Sequence, residues 1–484
     1  MGRQAAGCYV AARHSSRRIA FGREAAMKIH PGPAGDGDNL LLTDLYEVAM
    51  VDAYLDHGMN GTASFELFVR TLPDQRNFLI AAGLEQAVAF LETARFAPDD
   101  LAWLRDHAQI SNRTVEYLRD FRFSGDVDAL PEGTAFFAHE PILRVTASLP
   151  EAQMMETRLI NLIHLQTVIA SKAARLVLAA DGRPLFDFGL RRAHGAEAGL
   201  LAARAAYIAG FAGTATALAG RRFGIPIVGT MAHSFVQAHR QEAEAFINFA
   251  RSRPRNLTLL LDTYDTEAAA GTVVSLAGKL AVQGIHPSAV RLDSGDLAAQ
   301  SQRVRAILDA GGLSGTHIVA SGGLDEHVLG SLLTANAPID SFGIGTNLTT
   351  SSDAPALDCA YKLVEYAGFP RRKRSPGKAT WPGRKQVFRS YDAGGRIRTD
   401  LLSVAEAQEP GRPLLIPVMR NGRRVGPLPD LTAIRSHAAA ELASLPEPVR
   451  DLKHHATIET GISPELEALA EQADSIGQVR PDHP

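Results

Sequence analysis

Residues Gly229 to Ala238 read GTMAHSFVQA, and His233 within them has the most chemistry to offer. The apolar run Ile225 to Val228 ahead of it predicts a buried strand, while Ala243, Phe246, Ile247 and Ala250 beyond it fall at helical spacing. His233 therefore stands where a strand hands over to a helix. Backbone N–H groups at a helix start attract phosphate, and an imidazole can take and release a phosphoryl group near neutral pH. Taken alone, a capping or packing histidine is the commoner use of such a position.

Other residues along the chain change that balance. Arg191, Arg192 and Arg291 supply planar positive charge of the kind that grips carboxylate or phosphate with paired hydrogen bonds. Asp293 and Asp296 flank Ser294 and Gly295 in LDSGDL, where a carboxylate can hold ribose hydroxyls or stabilise a cationic sugar transition state. Asp262 and Asp265 can do similar work or bind Mg²⁺ through phosphate; ion pairing with the arginines is the competing use of all four. SGGLDE, with Gly322 and Gly323, and FGIGTN, with Gly345 before Thr346, are glycine turns that let a backbone approach phosphate closely. The first runs straight into a helix. A phosphorylated sugar is the natural ligand.

These groups sit at the ends of apolar runs: LFDF, IPIV, LTLLL, AVRL, HIVA and DSFGI, each followed by a helical stretch. Such alternation predicts parallel strands with right-handed crossovers, covered on both faces. The strand ends fall near Asp187, Thr230, Asp262, Asp293, Ser321 and Gly343, and YKLVEY from Tyr361 is a seventh candidate strand. That number favours an irregular β/α barrel over an open sheet. In a parallel barrel all C-terminal strand ends meet at one mouth, so residues distant in sequence converge there.

Before the barrel, LLTDLYEVAMVDAYLDHG predicts a helix opened by Thr43 or Asp44. ASFELFVRTLP then alternates as a strand, with Phe65, Leu67 and Val69 on one face and Ser64, Glu66, Phe68 and Arg70 on the other. Tyr46 and Arg76 are the polar groups here that could face a neighbour. Glu151 to Ala180 predicts one long amphipathic helix, broken in hydrophobicity by His164, Lys172 and Arg175. The expected organisation is a basic extension over 1–36, an N-terminal α/β domain over 37–150, the barrel with the active site over 151–368, and a C-terminal segment over 369–484 that packs partly on the N-terminal domain.

With 484 residues, the chain exceeds one ordinary core of ~150 residues. A hydrophobic fraction of 45%, a charged fraction of 21% and a net charge of -3 fit a soluble globular protein with no overall pull toward nucleic acid or membrane. The basic loop Arg371 to Lys378 lacks interleaved aromatics and reads as a solvated loop or phosphate contact. Cys8 and Cys359 form no metal or disulfide spacing, so a reducing cytoplasm is expected.

TDLYEVAM, FELFVRTLP, FLIAAGLEQA, FGLRRAHG, GTMAHSFVQA, LLLDTYDT, VRLDSGDL, ASGGLDE, FGIGTNL, YKLVE and PGRKQVFR, in that order, resemble the nicotinate phosphoribosyltransferase family from about Leu40 to Arg389. The resemblance implies an irregular, type II phosphoribosyltransferase-like barrel joined to an α/β domain, working as a homodimer with its site near the subunit interface. It implies synthesis of nicotinate mononucleotide and pyrophosphate from nicotinate and phosphoribosyl pyrophosphate, coupled to ATP hydrolysis with Mg²⁺ on the phosphates. His233 matches the family's phosphorylated histidine. Tyr46, Thr230 and Arg291 match its nicotinate contacts, Thr346 its ribose-phosphate contact, and Arg191 a pocket arginine. The alternatives are a nicotinamide- or quinolinate-using enzyme of the same architecture, or a phosphate-binding barrel without turnover.

Overall fold

The computed structural model describes residues 40–476. The basic N-terminal extension and Cys8 lie outside the described residues. Six parallel strands carry the site: β1 (Leu185–Asp187), β2 (Gly213–Thr214), β3 (Leu257–Leu260), β4 (Pro287–Leu292), β5 (His317–Ser321) and β6 (Ser341–Ile344). Their order is β2-β1-β6-β5-β4-β3, a curled half-barrel with β2 and β3 at its edges. Helices Thr266–Ala281, Leu297–Ala310 and Glu326–Thr334 follow β3, β4 and β5, and each is opened by an aspartate, Asp265, Asp296 and Asp325.

Two expected strands behave differently. IPIV forms no strand: Ile227 makes a single parallel bridge to Thr214, supported by Thr214 N donating to Pro226 O and Val228 N donating to Thr214 O. Pro226 has no N–H to extend a ladder, and the run stops there. The YKLVEY segment, within strand Cys359–Tyr366, leaves the barrel and pairs antiparallel with Thr62–Val69. It thereby joins a seven-stranded sheet ordered Phe369–Pro370, Cys359–Tyr366, Thr62–Val69, Pro141–Ser148, Asp126–Ala129, Ile416–Arg420 and Arg423–Arg424.

The strand Thr62–Val69 is buried on both faces, not on the one its alternation implied. On its polar face Glu66 meets Lys385, the first residue of strand Lys385–Tyr391, bound to Lys385 Nζ at 2.7 Å and accepting from Lys385 N at 2.8 Å. The long helix is split by a turn into Leu149–Gln153 and Glu156–Ala179, and most of its apolar side chains are buried inside the fold. Its polar interruptions are used: His164 Nε2 accepts from Leu357 N, while Lys172 and Arg175 are buried in ion pairs.

Glu47, on helix Leu45–Asp56, is fully buried and accepts from Thr43, from Thr157 N and from Thr157 Oγ1. Burial pushes its carboxyl from 4.5 up to about 7, against the pull of those hydrogen bonds. The folded pKa exceeds the unfolded one, so this contribution to stability is complete below about 4.5 and is lost as pH rises through about 7. Glu47→Gln is expected to flatten that dependence, removing a loss on the order of 3 kcal/mol. Thermal unfolding of both proteins between these pH values checks it; parallel curves would show that Glu47 does not titrate there.

Candidate active site

Arg291 on β4 is the centre of the mouth. Its Nε donates to Ser321 Oγ at 2.8 Å, Nη1 to Thr230 Oγ1 at 3.2 Å, and Nη2 to Asp293 Oδ1 at 2.8 Å. A guanidinium carries five N–H donors, so three are held by protein and one on each terminal nitrogen is left for a ligand. The Arg291 Cζ lies 5.3 Å from the centroid of the Phe188 ring. That ring can lie where it does because residue 343 is glycine: a Cβ there would sit 2.3 Å from it.

Asp293 points the other way. Ser321 Oγ also donates to Oδ1, while Oδ2 faces His233 Nε2 at 3.9 Å. Behind it, Asp262 Oδ2 accepts from Asp293 N at 3.2 Å and from Ser294 Oγ at 2.6 Å, and Asp262 Oδ1 is buried without a hydrogen-bond partner. His233 opens a short helical turn, His233–Gln237, and its Nδ1 lies 3.2 Å from Thr263 Oγ1. The ring and the Asp293 carboxylate are 40% and 30% exposed, so both are open to a ligand.

The two glycine turns adjoin this cluster. Gly322 has φ of +94°, and a Cβ on it would meet the Asp293 carbonyl oxygen at 1.9 Å, so the turn after β5 touches the end of β4. Gly323, at φ +64°, faces open space. Asn347 Nδ2 donates to Gly323 O and Leu324 O, both at 3.0 Å, tying the turn after β6 to the turn after β5. Gly345 passes 3.5 Å from the Phe188 carbonyl oxygen, measured from an added Cβ, and Thr346 follows, exposed. The start of the helix Glu326–Thr334 offers less to an anion than its sequence implies, because Asp325 already accepts from His327 N and Val328 N.

A buried ion lattice braces these turns. Lys172 binds Glu326 at 2.5 Å and Asp353 at 2.9 Å, Arg175 binds Glu326 at 2.8 Å, and Arg76 binds Asp353 at 2.8 Å. Burial alone would raise the Asp353 carboxyl, but the hydrogen bonds and charge of Arg76 and Lys172 override it and hold it well below the usual carboxylate range. Arg76 is fully buried and faces no neighbour, contrary to the sequence expectation. Asp265 and Asp296 are helix caps, accepting from Ala268 N and Ala299 N.

Arg191 and Arg192 lie exposed in the turn Leu190–Arg192 just beyond β1. Tyr46 is placed elsewhere. It lines a cavity of about 400 Å³ with Tyr54, Gln153, Glu156 and Tyr361, and no residue of the mouth shares that lining. Burial, with the nearby Glu156 and Glu47 carboxylates, pushes its hydroxyl up to about 12.

Phe188, Ser321, Thr263 and Asn347 had no role in the sequence reading. Each lies inside a motif already singled out, FGLRRAHG, SGGLDE, DTYDT or FGIGTN, but only the fold shows what its side chain touches. Among the described residues no cluster of three or more His, Cys, Asp or Glu could hold a metal by itself. Asp262 Oδ1 has no hydrogen-bond partner, and Asp293 Oδ2 is not engaged by Arg291 or Ser321. Two such oxygens are too few to cage a cation and suit one that keeps its waters and binds chiefly through substrate phosphates.

A family model described as the nicotinate phosphoribosyltransferase N-terminal domain matches residues 41–164, and one described as the nicotinate phosphoribosyltransferase family matches residues 184–367. The chain is 50% identical over 414 residues to nicotinate phosphoribosyltransferase pncB2 of Mycobacterium tuberculosis, covering 85% of this chain and 89% of that one. It is 32% identical over 513 residues to the Homo sapiens nicotinate phosphoribosyltransferase, covering 89% and 95%. The crystal structure of human nicotinic acid phosphoribosyltransferase matches with a TM-score of 0.80 at 30% identity, over 89% of this chain and 99% of the other. A nicotinate-nucleotide pyrophosphorylase from Pyrococcus furiosus shares the fold, with a TM-score of 0.70 at 24% identity over 86% and 98% of the two chains.

Proposed function

The chain belongs to the nicotinate phosphoribosyltransferase family and has its activity on the route to NAD; from that premise we propose that Arg291 orients the nicotinate carboxylate and His233 carries phosphate from ATP. The observation that carries the reading is the Arg291 guanidinium, fixed by three protein acceptors with one N–H left over on each terminal nitrogen. A carboxylate fits that pair, and the uncharged amide of nicotinamide does not.

With the carboxylate on Arg291 and Thr230 beside it, the pyridine ring lies against Phe188 and its nitrogen points toward the sugar. The nitrogen lone pair forms the bond to the anomeric carbon as the carbon–oxygen bond to pyrophosphate breaks, and that electron pair leaves with pyrophosphate. No proton needs to move. Asp293 Oδ2, the oxygen left free by Arg291 and Ser321, faces the positive charge that develops on the sugar. Gly322, Gly323, Gly345 and Thr346 present backbone and hydroxyl groups to the 5′-phosphate, with Arg191 at the rim. Asp262 and Asp293 would hold Mg²⁺ together with the substrate phosphates, and the ion would supply charge neutralisation of the pyrophosphate there.

His233 Nδ1 lies 3.2 Å from Thr263 Oγ1, and in the tautomer that donates Nδ1–H to that oxygen Nε2 keeps its lone pair toward the mouth. Attack of Nε2 on the γ-phosphorus of ATP forms the N–P bond, and the electron pair of the broken P–O bond leaves with ADP. Leu42, Leu45 and Tyr46 are 51%, 59% and 46% exposed on one side, and Tyr264 is 66% exposed at the mouth. We read these apolar faces as covered by a second copy, which brings Tyr46 to the partner's site in a cytoplasmic homodimer.

The test is product formation from phosphoribosyl pyrophosphate and Mg²⁺ with nicotinate or nicotinamide, each with and without ATP. Nicotinate alone is expected to react, ATP to raise the yield, and His233→Ala to lose that gain while keeping ATP-independent turnover. Preference for nicotinamide would overturn the pocket assignment. An ATP effect that survives in the variant would overturn the role of His233.

A further inference from the structure

The failure of Ile225 to Val228 to form a full strand leaves the half-barrel open between that run and β3. A cavity of about 620 Å³ occupies the opening. Its inner end is lined by Phe188 and Thr230, both in contact with Arg291. Its outer end is lined by Arg253 and Arg255, just before the first residue of β3, while the mouth lies past the last. The cavity thus crosses the barrel along a strand length on the order of 15 Å.

The lining has a definite chemistry. Phe186, Phe188 and Phe249 give it aromatic walls, the two exposed guanidiniums give it positive charge at one end, and no Asp or Glu is among the lining residues. Its volume is within the usual range for small-molecule sites. A planar aromatic monocarboxylate matches each feature: ring against ring, and carboxylate drawn from one arginine set to the next.

We propose that this cavity is a rear passage for nicotinate, with Arg253 and Arg255 collecting the carboxylate and handing it inward to Arg291. The inference rests on the nicotinate reading of the site. Its physical ground is that the front of the mouth is where the glycine turns and His233 receive phosphates, so a seated phosphoribosyl pyrophosphate obstructs that approach. Nicotinate arriving from the rear meets Phe188 and Arg291 without passing the phosphates. Arg253 and Arg255 act only on arrival, so they change capture and leave the chemical step alone.

Steady-state kinetics of Arg253→Gln/Arg255→Gln tests it. KM for nicotinate is expected to rise about five- to tenfold, with kcat and KM for phosphoribosyl pyrophosphate unchanged. The salt dependence of kcat/KM for nicotinate should flatten as well. Ala217→Phe, which narrows the cavity at an exposed lining residue, is expected to lower kcat/KM for nicotinate by a similar factor with both arginines intact. An active double variant with unchanged nicotinate KM and salt slope overturns the passage while the nicotinate reading stands. Wild-type protein with no turnover of nicotinate overturns both.

Discussion

Arg291→Lys is expected to lower kcat/KM for nicotinate about a hundred- to a thousandfold and to gain nothing with nicotinamide. Arg291 meets Ser321, Thr230 and Asp293 through three different nitrogens, at 2.8, 3.2 and 2.8 Å, and still has two donors for a carboxylate. Lysine has one nitrogen with three donors and cannot serve three divergent acceptors and a ligand at once. Losing the bidentate contact to the substrate carboxylate, together with the three-point hold that fixes the cation against Ser321, Thr230 and Asp293, removes about 3 to 4 kcal/mol of transition-state binding. A lysine ammonium that pairs with Asp293 is no longer available to the substrate carboxylate. Initial rates with both pyridines, with the unfolding midpoint as a control for stability, measure this. A variant that keeps its nicotinate KM would remove Arg291 from the pocket.

Gly322→Ala is the second large effect, and it needs no change of charge. The added Cβ would sit 1.9 Å from the Asp293 carbonyl oxygen, and a φ of +94° is itself strained for a side chain. Since the obstacle is backbone, relief requires the end of β4 or the turn after β5 to move, and each carries a residue of the site, Asp293 or Ser321. The expected cost is about 3 kcal/mol or more in stability, with activity down more than about a hundredfold because a displacement on the order of 1 Å misplaces both groups. Gly323→Ala provides the comparison. Its neighbour space is open and its φ of +64° is the left-handed region, so about 1 kcal/mol is expected from strain alone. Denaturant unfolding and kinetics of the two variants separate close approach from conformational freedom; equal losses would show that the contact with Asp293 is not what fixes Gly322.

The candidate site was legible as a cluster because its polar groups travel in short motifs at strand ends. His233, Arg291, Asp293 and the glycine turns were found where strand ends were expected. Five of the seven expected barrel strands formed from runs of apolar residues whose burial on both faces their composition requires. What motif reading could not weigh was competition for the same side chain. Asp265 and Asp296 looked like ligand carboxylates, but each accepts from a backbone N–H three residues on. An aspartate ahead of a helix has that partner at no cost in reach, and a ligand role must be stronger to displace it.

Local pattern determined which segments are strands and helices and which polar residues stand at strand ends, because periodicity and turn chemistry act over a few residues. Which strands become neighbours was decided by the tertiary structure alone. Tyr361 to Tyr366 has the apolar look of another barrel strand, and it pairs with Ala63 to Leu67 across some three hundred residues, because the edge of that antiparallel sheet needed covering. Pro226 was in plain view, yet only the half-barrel shows that the missing ladder opens a cavity reaching Arg291. Arg76 was read as a polar group that could face a neighbour, and the fold buries it against Asp353, which Lys172 also binds, because only a paired cation survives away from water. Chain chemistry named the candidate polar groups at the strand ends; long-range packing chose their partners and the space around them.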